Sequence, residues 1–100
     1  MKHVTVFGSF VVDLMARAPH LPVPGETVKS SMFKLGPGGK GFNQGIGAKR
    51  AGADVTMVTK LGKDSFADVA LNKLKEENMS TEYVFQTDEV PTGTALIMVD

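Results

Sequence analysis

Cysteine and tryptophan are both missing from this 100-residue sequence, and tyrosine occurs once. Without cysteine there can be no disulfide and no thiolate metal site, which fits a reducing compartment, so a cytoplasmic protein is expected. An excess of charge of one sign is lacking too, because eleven basic and eleven acidic residues cancel. That excludes the basic footprint selected by nucleic acid or by an anionic membrane surface, and neither is expected as a partner. No apolar run approaches the roughly 18 residues that a membrane span needs. Met1-Lys2-His3-Val4 enters a β-like run rather than the apolar core of a signal peptide. His3 and His20 stand far apart with no partner pattern, so no metal site is expected. The length allows one small domain or a piece of a larger one.

Glycine is the opposite case. Six of the eleven glycines fall between Leu35 and Gly47, in LGPGGKGFNQGIG. Glycine loses more conformational freedom on folding than any other residue, so such a cluster needs a purpose that only glycine serves: positive φ, or close approach of the backbone to a ligand or another segment. Apolar residues recur at Ile46, Ala48 and Ala51, with Lys49 and Arg50 on the far side, which predicts a helix beginning near Lys40 or Gly41. A glycine-rich turn entering a helix presents unpaired N–H groups and the positive end of a dipole, a place for oxygen atoms. Tight packing of a small-residue helix on a sheet is the alternative. It accounts for Gly45 and Gly47 but not for Gly38-Gly39-Lys40-Gly41.

Around this stretch the chain reads as alternating elements. His3 to Phe7 is a short buried strand closed by Gly8-Ser9. Phe10 to Met15 continues as an extended run with Asp13 in its middle, either hydrogen-bonded to something or on the wet face of an edge strand. Three prolines between Pro19 and Glu26 exclude a helix or a central strand there. Thr27 to Leu35 reads as a partly exposed strand. Gly52 is a helix stop, Val55 to Thr59 a strand, and Asp64 or Ser65 the cap of a second helix running to about Glu77, where Asn78 can end it. Glu82 to Gln86 and Thr94 to Val99 are two further extended runs. Strand–helix–strand alternation argues for an α/β fold with a parallel sheet. The strands between the first strand and the first helix do not fit that crossover and read as a small separate sheet projecting from its edge.

Two phosphate-binding patterns fail. The P-loop G-x-x-x-x-G-K-[ST] needs a hydroxyl after its lysine, and Gly41 follows Lys40. The dinucleotide fingerprint should directly follow the first strand, where Gly8 stands alone. A nucleotide-binding α/β domain of another class is therefore disfavoured. What remains suits a neutral, hydroxyl-rich ligand: Gly38 and Gly39 can present N–H groups, Asn43 a donor and an acceptor, Lys40 a long donor, and Asp13 can accept two hydroxyls at once. Such a polyol is a sugar or a sugar-like compound.

Gly8-Ser9-x-x-x-Asp13, Pro24-Gly25-Glu26-Thr27, Gly38-Gly39-Lys40-Gly41-x-Asn43-Gln44 and Thr92-Gly93-Thr94-Ala95 resemble, in order and spacing, the N-terminal part of the ribokinase-like (PfkB-type) carbohydrate kinases, and Gln44 is most similar to the ribokinase branch. The resemblance covers essentially the whole chain. It implies a ribokinase-like three-layer α/β sandwich, present here as its N-terminal portion, with a small β-sheet lid drawn from within 11–17, 27–35 and 94–100. It also implies that Asp13, Gly38, Gly39, Lys40 and Asn43 bind a sugar, and that a homodimer forms through the lid strands. ATP and magnesium would serve the full-length enzyme, whose catalytic aspartate and nucleotide site would lie beyond Asp100, so the 100 residues alone are expected to be inactive. One departure concerns Val11, where the family usually carries Asn, and it leaves the sugar open between ribose and a related polyol. A non-catalytic sugar-binding or dimerisation module of the same fold is the alternative function.

Overall fold

The computed structural model describes residues 2–100; Met1, named above in the opening run, lies outside them. The elements follow in the order β1 (His3–Phe7), β2 (Val11–Arg17), β3 (Met32–Gly38), α1 (Lys40–Arg50), β4 (Asp54–Gly62), α2 (Ser65–Glu76), β5 (Val84–Thr87) and β6 (Thr94–Val99). They form two sheets. The inner sheet is parallel, in the order β1-β4-β5, and the outer sheet runs β3-β2-β6, with β2 antiparallel to β3 and parallel to β6.

Side chains alternate across a strand, so one face of the inner sheet carries Val4, Val6, Val55, Met57 and Leu61. Both helices pack on that face. α1 contributes Phe42 and Ile46, and α2 contributes Ala67, Ala70 and Leu74, all buried in one continuous core. α1 starts without a side-chain cap at Gly39, and Gly52 closes it with a φ of 100°. α2 starts on Asp64, whose carboxylate accepts the Ala67 N–H at 3.0 Å, and it ends before Asn78, which takes a φ of 58°.

The outer sheet is the separate sheet that would not fit the crossover, with one correction. The strand expected over Thr27 to Leu35 begins only at Met32 and runs on to Gly38. Just before the strand, the Ser30 hydroxyl donates to Met32 O and accepts the Met32 N–H, and Ser31 already donates its N–H to Arg17 O at the end of β2. Its glycine-proline end can pair because β3 is an edge strand, bonded only to β2, where a proline is tolerated. The inner strands also shift at their ends. β4 extends past Thr59 to Gly62, and β5 begins at Val84 rather than Glu82.

Candidate functional site

Every expected site residue lies at the junction of the two sheets. Asp13 sits in β2, which is the centre of the outer sheet and not an edge, so the edge-strand alternative falls away. Registered beside Asp13 on the same face are Val11 and Met15 of β2, Lys34, Gly36 and Gly38 of β3, and Ala95 and Ile97 of β6. A side chain at position 38 would overlap the carboxylate: a Cβ there would stand 2.5 Å from each Asp13 oxygen. Gly38 thus makes the room in which Asp13 rests.

The next residue turns the chain. Gly39 has a φ of 98°, in the region that favours glycine, and a Cβ on it would meet the Ser9 carbonyl oxygen at 2.5 Å. This turn sets α1 going at Lys40 directly behind Gly38, so strand end, helix start and Asp13 come together. Phe42 locks the arrangement from beneath. Its N–H donates to Ser9 O at 3.3 Å, and its ring meets Phe10 edge-on with centroids 4.8 Å apart. Within the helix, Asn43 N–H closes the first turn on Gly39 O at 2.9 Å. The N–H groups of Lys40 and Gly41 have no intrahelical acceptor, and no acidic residue occupies this first turn to compete for the dipole.

Among the described residues, the side chains of Asp13, Lys40 and Asn43 form no hydrogen bond or ion pair with other side chains or backbone. Lys40 and Asn43 are exposed and Asp13 is half-buried. A shallow cleft of about 190 Å³ lined by Asp13, Met15, Lys34, Leu35 and Gly36 opens beside the carboxylate. A wider cleft, about 640 Å³, lies elsewhere, at the carboxyl ends of the inner strands among Phe7, Gly8, Ser9, Phe10, Val58, Thr59, Lys60 and Phe85. It is mostly apolar surface on the face without helices, where Phe7 is 88% exposed. Its chemistry offers a polyol little beside the carboxylate, amide and free N–H groups around Asp13.

The whole chain, residues 1–100, matches the family described as pfkB family carbohydrate kinase. This chain belongs to that family. It is 43% identical to the ribokinase of Mus musculus over 97 residues, which are 97% of this chain and 30% of that enzyme. It is 38% identical to the deoxyribokinase of Salmonella typhi, over 97% of this chain and 32% of that protein. The structure of Arabidopsis thaliana ribokinase complexed with ribose and ATP superposes with a TM-score of 0.87 at 27% identity, covering 97% of this chain and 31% of that one. The fold is accordingly the α/β ribokinase fold, and this pfkB-family chain spans about a third of the length of the curated relatives it matches.

One pairing is invisible in the sequence, where Asp64 reads only as the cap of α2 and Thr92 only as part of a motif. In the structure Thr92 is buried, and both its N–H and its hydroxyl donate to the Asp64 carboxylate, at 2.8 and 2.7 Å. These bonds, the Thr92 N–H first and the hydroxyl next, hold the Asp64 carboxyl below its ordinary range. The residues are 28 apart, and no periodic signal links them.

Proposed function

We propose that these 100 residues are the sugar-binding, N-terminal part of an ATP-dependent carbohydrate kinase that phosphorylates a sugar hydroxyl. The observation that carries this reading is the seat of Asp13 over Gly38 at the open amino end of α1, in a chain of the pfkB family. In it, Asp13 accepts hydrogen bonds from two sugar hydroxyls, the N–H groups about Gly38 and Gly39 donate to sugar oxygens, and Asn43 and Lys40 complete the grip from the first turn of α1. This grip fixes the sugar for attack, which is where most of the rate advantage of a phosphoryl transfer arises.

Nucleotide and magnesium belong to the other two thirds of such an enzyme. Among the described residues no cluster of three or more His, Cys, Asp or Glu could hold a metal, so no step is assigned to magnesium here. Relatives named ribokinase and deoxyribokinase support a pentose. Val11 stands on the Asp13 face and can offer no hydrogen bond, so ribose and 2-deoxyribose are both candidates.

The same reading makes the outer sheet a lid and a dimer contact. The face opposite Asp13 carries Leu14, Ala16, Phe33, Leu35, Leu96 and Met98, with Leu96 82% exposed. An apolar face of that kind calls for a cover, and a second lid supplies one. No described helix is long and apolar enough to cross a membrane.

The test is sugar-dependent ADP release by the purified full-length protein across ribose, 2-deoxyribose, other pentoses and hexoses. Turnover with at least one pentose is expected. Sugar binding without ADP release would select the non-catalytic module instead, and folded protein that binds none of the sugars would contradict both. The 100 residues alone should release no ADP.

A further inference from the structure

α2 packs against β2 and β3, and Val12 is buried in the core it shares with the helices. Besides that packing, three chain or hydrogen-bonded ties join the outer sheet to the inner layer among the described residues. Two are continuous backbone, through Gly8-Ser9-Phe10 into β2 and through Gly38-Gly39 out of β3. The third is the entry into β6, and it is held by side-chain chemistry. The Asp64 carboxylate has one oxygen on the Ala67 N–H and the Thr92 hydroxyl, at 3.0 and 2.7 Å, and the other on the Thr92 N–H at 2.8 Å. The Thr92 hydroxyl in turn accepts the Gly62 N–H at 3.0 Å, so the end of β4 joins the knot. Position 62 has no room for anything larger, since a Cβ there would stand 2.5 Å from Thr92 N and 2.6 Å from an Asp64 oxygen. One residue on, Gly93 O accepts the N–H of Val12 at 2.9 Å, and Val12 precedes Asp13.

A cap needs one acceptor, and Asp64 spends one bond on capping and two on Thr92. The arrangement therefore does more than start a helix. We infer that Asp64 is a positioning residue for the candidate pocket: acting through Thr92, it pins the root of β6 to the amino end of α2 and so holds β2 and Asp13 in place over Gly38. This rests on the reading of the outer sheet as the sugar-binding lid. Asp64 itself stands apart from the pocket and touches no sugar.

The variants separate the two jobs of the carboxylate. In Asp64→Asn the side-chain oxygen still caps Ala67, because Asn is as good an N-cap as Asp, but the amide NH₂ faces the Thr92 N–H, donor against donor. Thr92→Val removes the hydroxyl and leaves the cap untouched, and Thr92→Ser restores it. In the full-length protein without sugar, amide exchange in Val11–Arg17 and Thr94–Val99 should rise roughly ten-fold in Asp64→Asn and Thr92→Val, as fits loss of a charge-assisted bond. Exchange in α2 should stay at the wild-type rate, and Thr92→Ser should match wild type throughout. The sugar KM should rise several-fold in the same two variants while kcat changes less. If Asp64→Asn fails to fold, Thr92→Val carries the same expectation. Unchanged exchange in the outer sheet, or an equal rise in α2 and β4, would overturn the inference and leave Asp64 a helix cap. Exchange is read without ligand, so failure of the sugar reading would show separately, as wild-type protein that binds no sugar while the exchange contrast persists.

Discussion

Each sheet has a three-strand order with one strand at its centre, yet β4 and β2 are buried very differently. β4 buries Val55, Met57, Thr59 and Leu61 under two helices, whereas in β2 only Val12 is fully buried and the strands beside it leave Phe33, Leu35, Leu96 and Met98 exposed. The inner sheet is where the hydrophobic stabilisation lies, at about 25 cal/mol for each Å² of apolar surface removed from water. The outer sheet contributes little of that and carries the carboxylate with free acceptor sites. On the proposed reading, stability and recognition are held in different layers, joined at Gly38-Gly39, at Asp64-Thr92 and where Val12 packs in the common core. A layer of low intrinsic stability is what the proposed lid would require.

The sharpest way to break this division is to damage one layer and read the other. Leu74→Ala empties a fully buried position beneath the inner sheet. It should cost about 2–5 kcal/mol in urea unfolding of the full-length protein while the folded fraction keeps its sugar affinity. Asp13→Asn is the reverse experiment. Replacing the carboxylate proposed to accept two sugar hydroxyls by an amide with a donor end should weaken sugar binding roughly ten-fold by titration calorimetry. Its unfolding midpoint should stay near wild type. Unchanged affinity would make Asp13 a solvated strand residue.

Smaller effects sharpen the contrast inside α1. Gly47 faces open space, where an added methyl would meet nothing, whereas a methyl at Gly45 would collide with the Met57 side chain. Gly47→Ala should therefore stabilise the protein by about 0.5–1 kcal/mol, and Gly45→Ala should gain less, because the terminal methyl of Met57 must swing aside within the core. The last effect is at the far ends of the helices. Arg50 donates to both Glu77 oxygens, at 2.9 and 2.8 Å, and this pairing holds the Glu77 carboxyl at about 2, against an ordinary 4.5. A depressed carboxyl adds stability that is complete above the ordinary value and fades as pH falls from about 4.5 toward 2. Glu77→Gln should flatten the acid limb of a stability–pH curve over that window and leave sugar affinity alone.

Much of this is legible in the sequence. The start of α1 near Lys40 or Gly41 follows from a glycine stretch giving way to apolar periodicity, and a cap at Asp64 or Ser65 from their place before Ala67 and Ala70; the structure selects Lys40 and Asp64. The outer sheet is legible as strands that cannot sit inside a crossover. The start of β3 is not, because the β-branched Thr27 and Val28 read as strand, whereas β2 ends at Arg17 and its pairing with β3 begins only at Met32. Its end is hidden by Gly36-Pro37-Gly38, which reads as loop and pairs only because it lies on an edge. The Asp64–Thr92 knot leaves no trace, since neither residue departs from what a cap and a turn already explain. Only the fold brings them within hydrogen-bonding distance, at 2.8 and 2.7 Å.

The most direct test of the central assignment is a crystal structure of the full-length protein with the sugar that best supports its ADP release. The sugar should lie between Asp13 and the first turn of α1, over Gly38, with both carboxylate oxygens about 2.5–3.0 Å from sugar hydroxyls. A sugar seated instead in the cleft among Phe7, Val58 and Phe85, with the Asp13 carboxylate left to solvent, would contradict it.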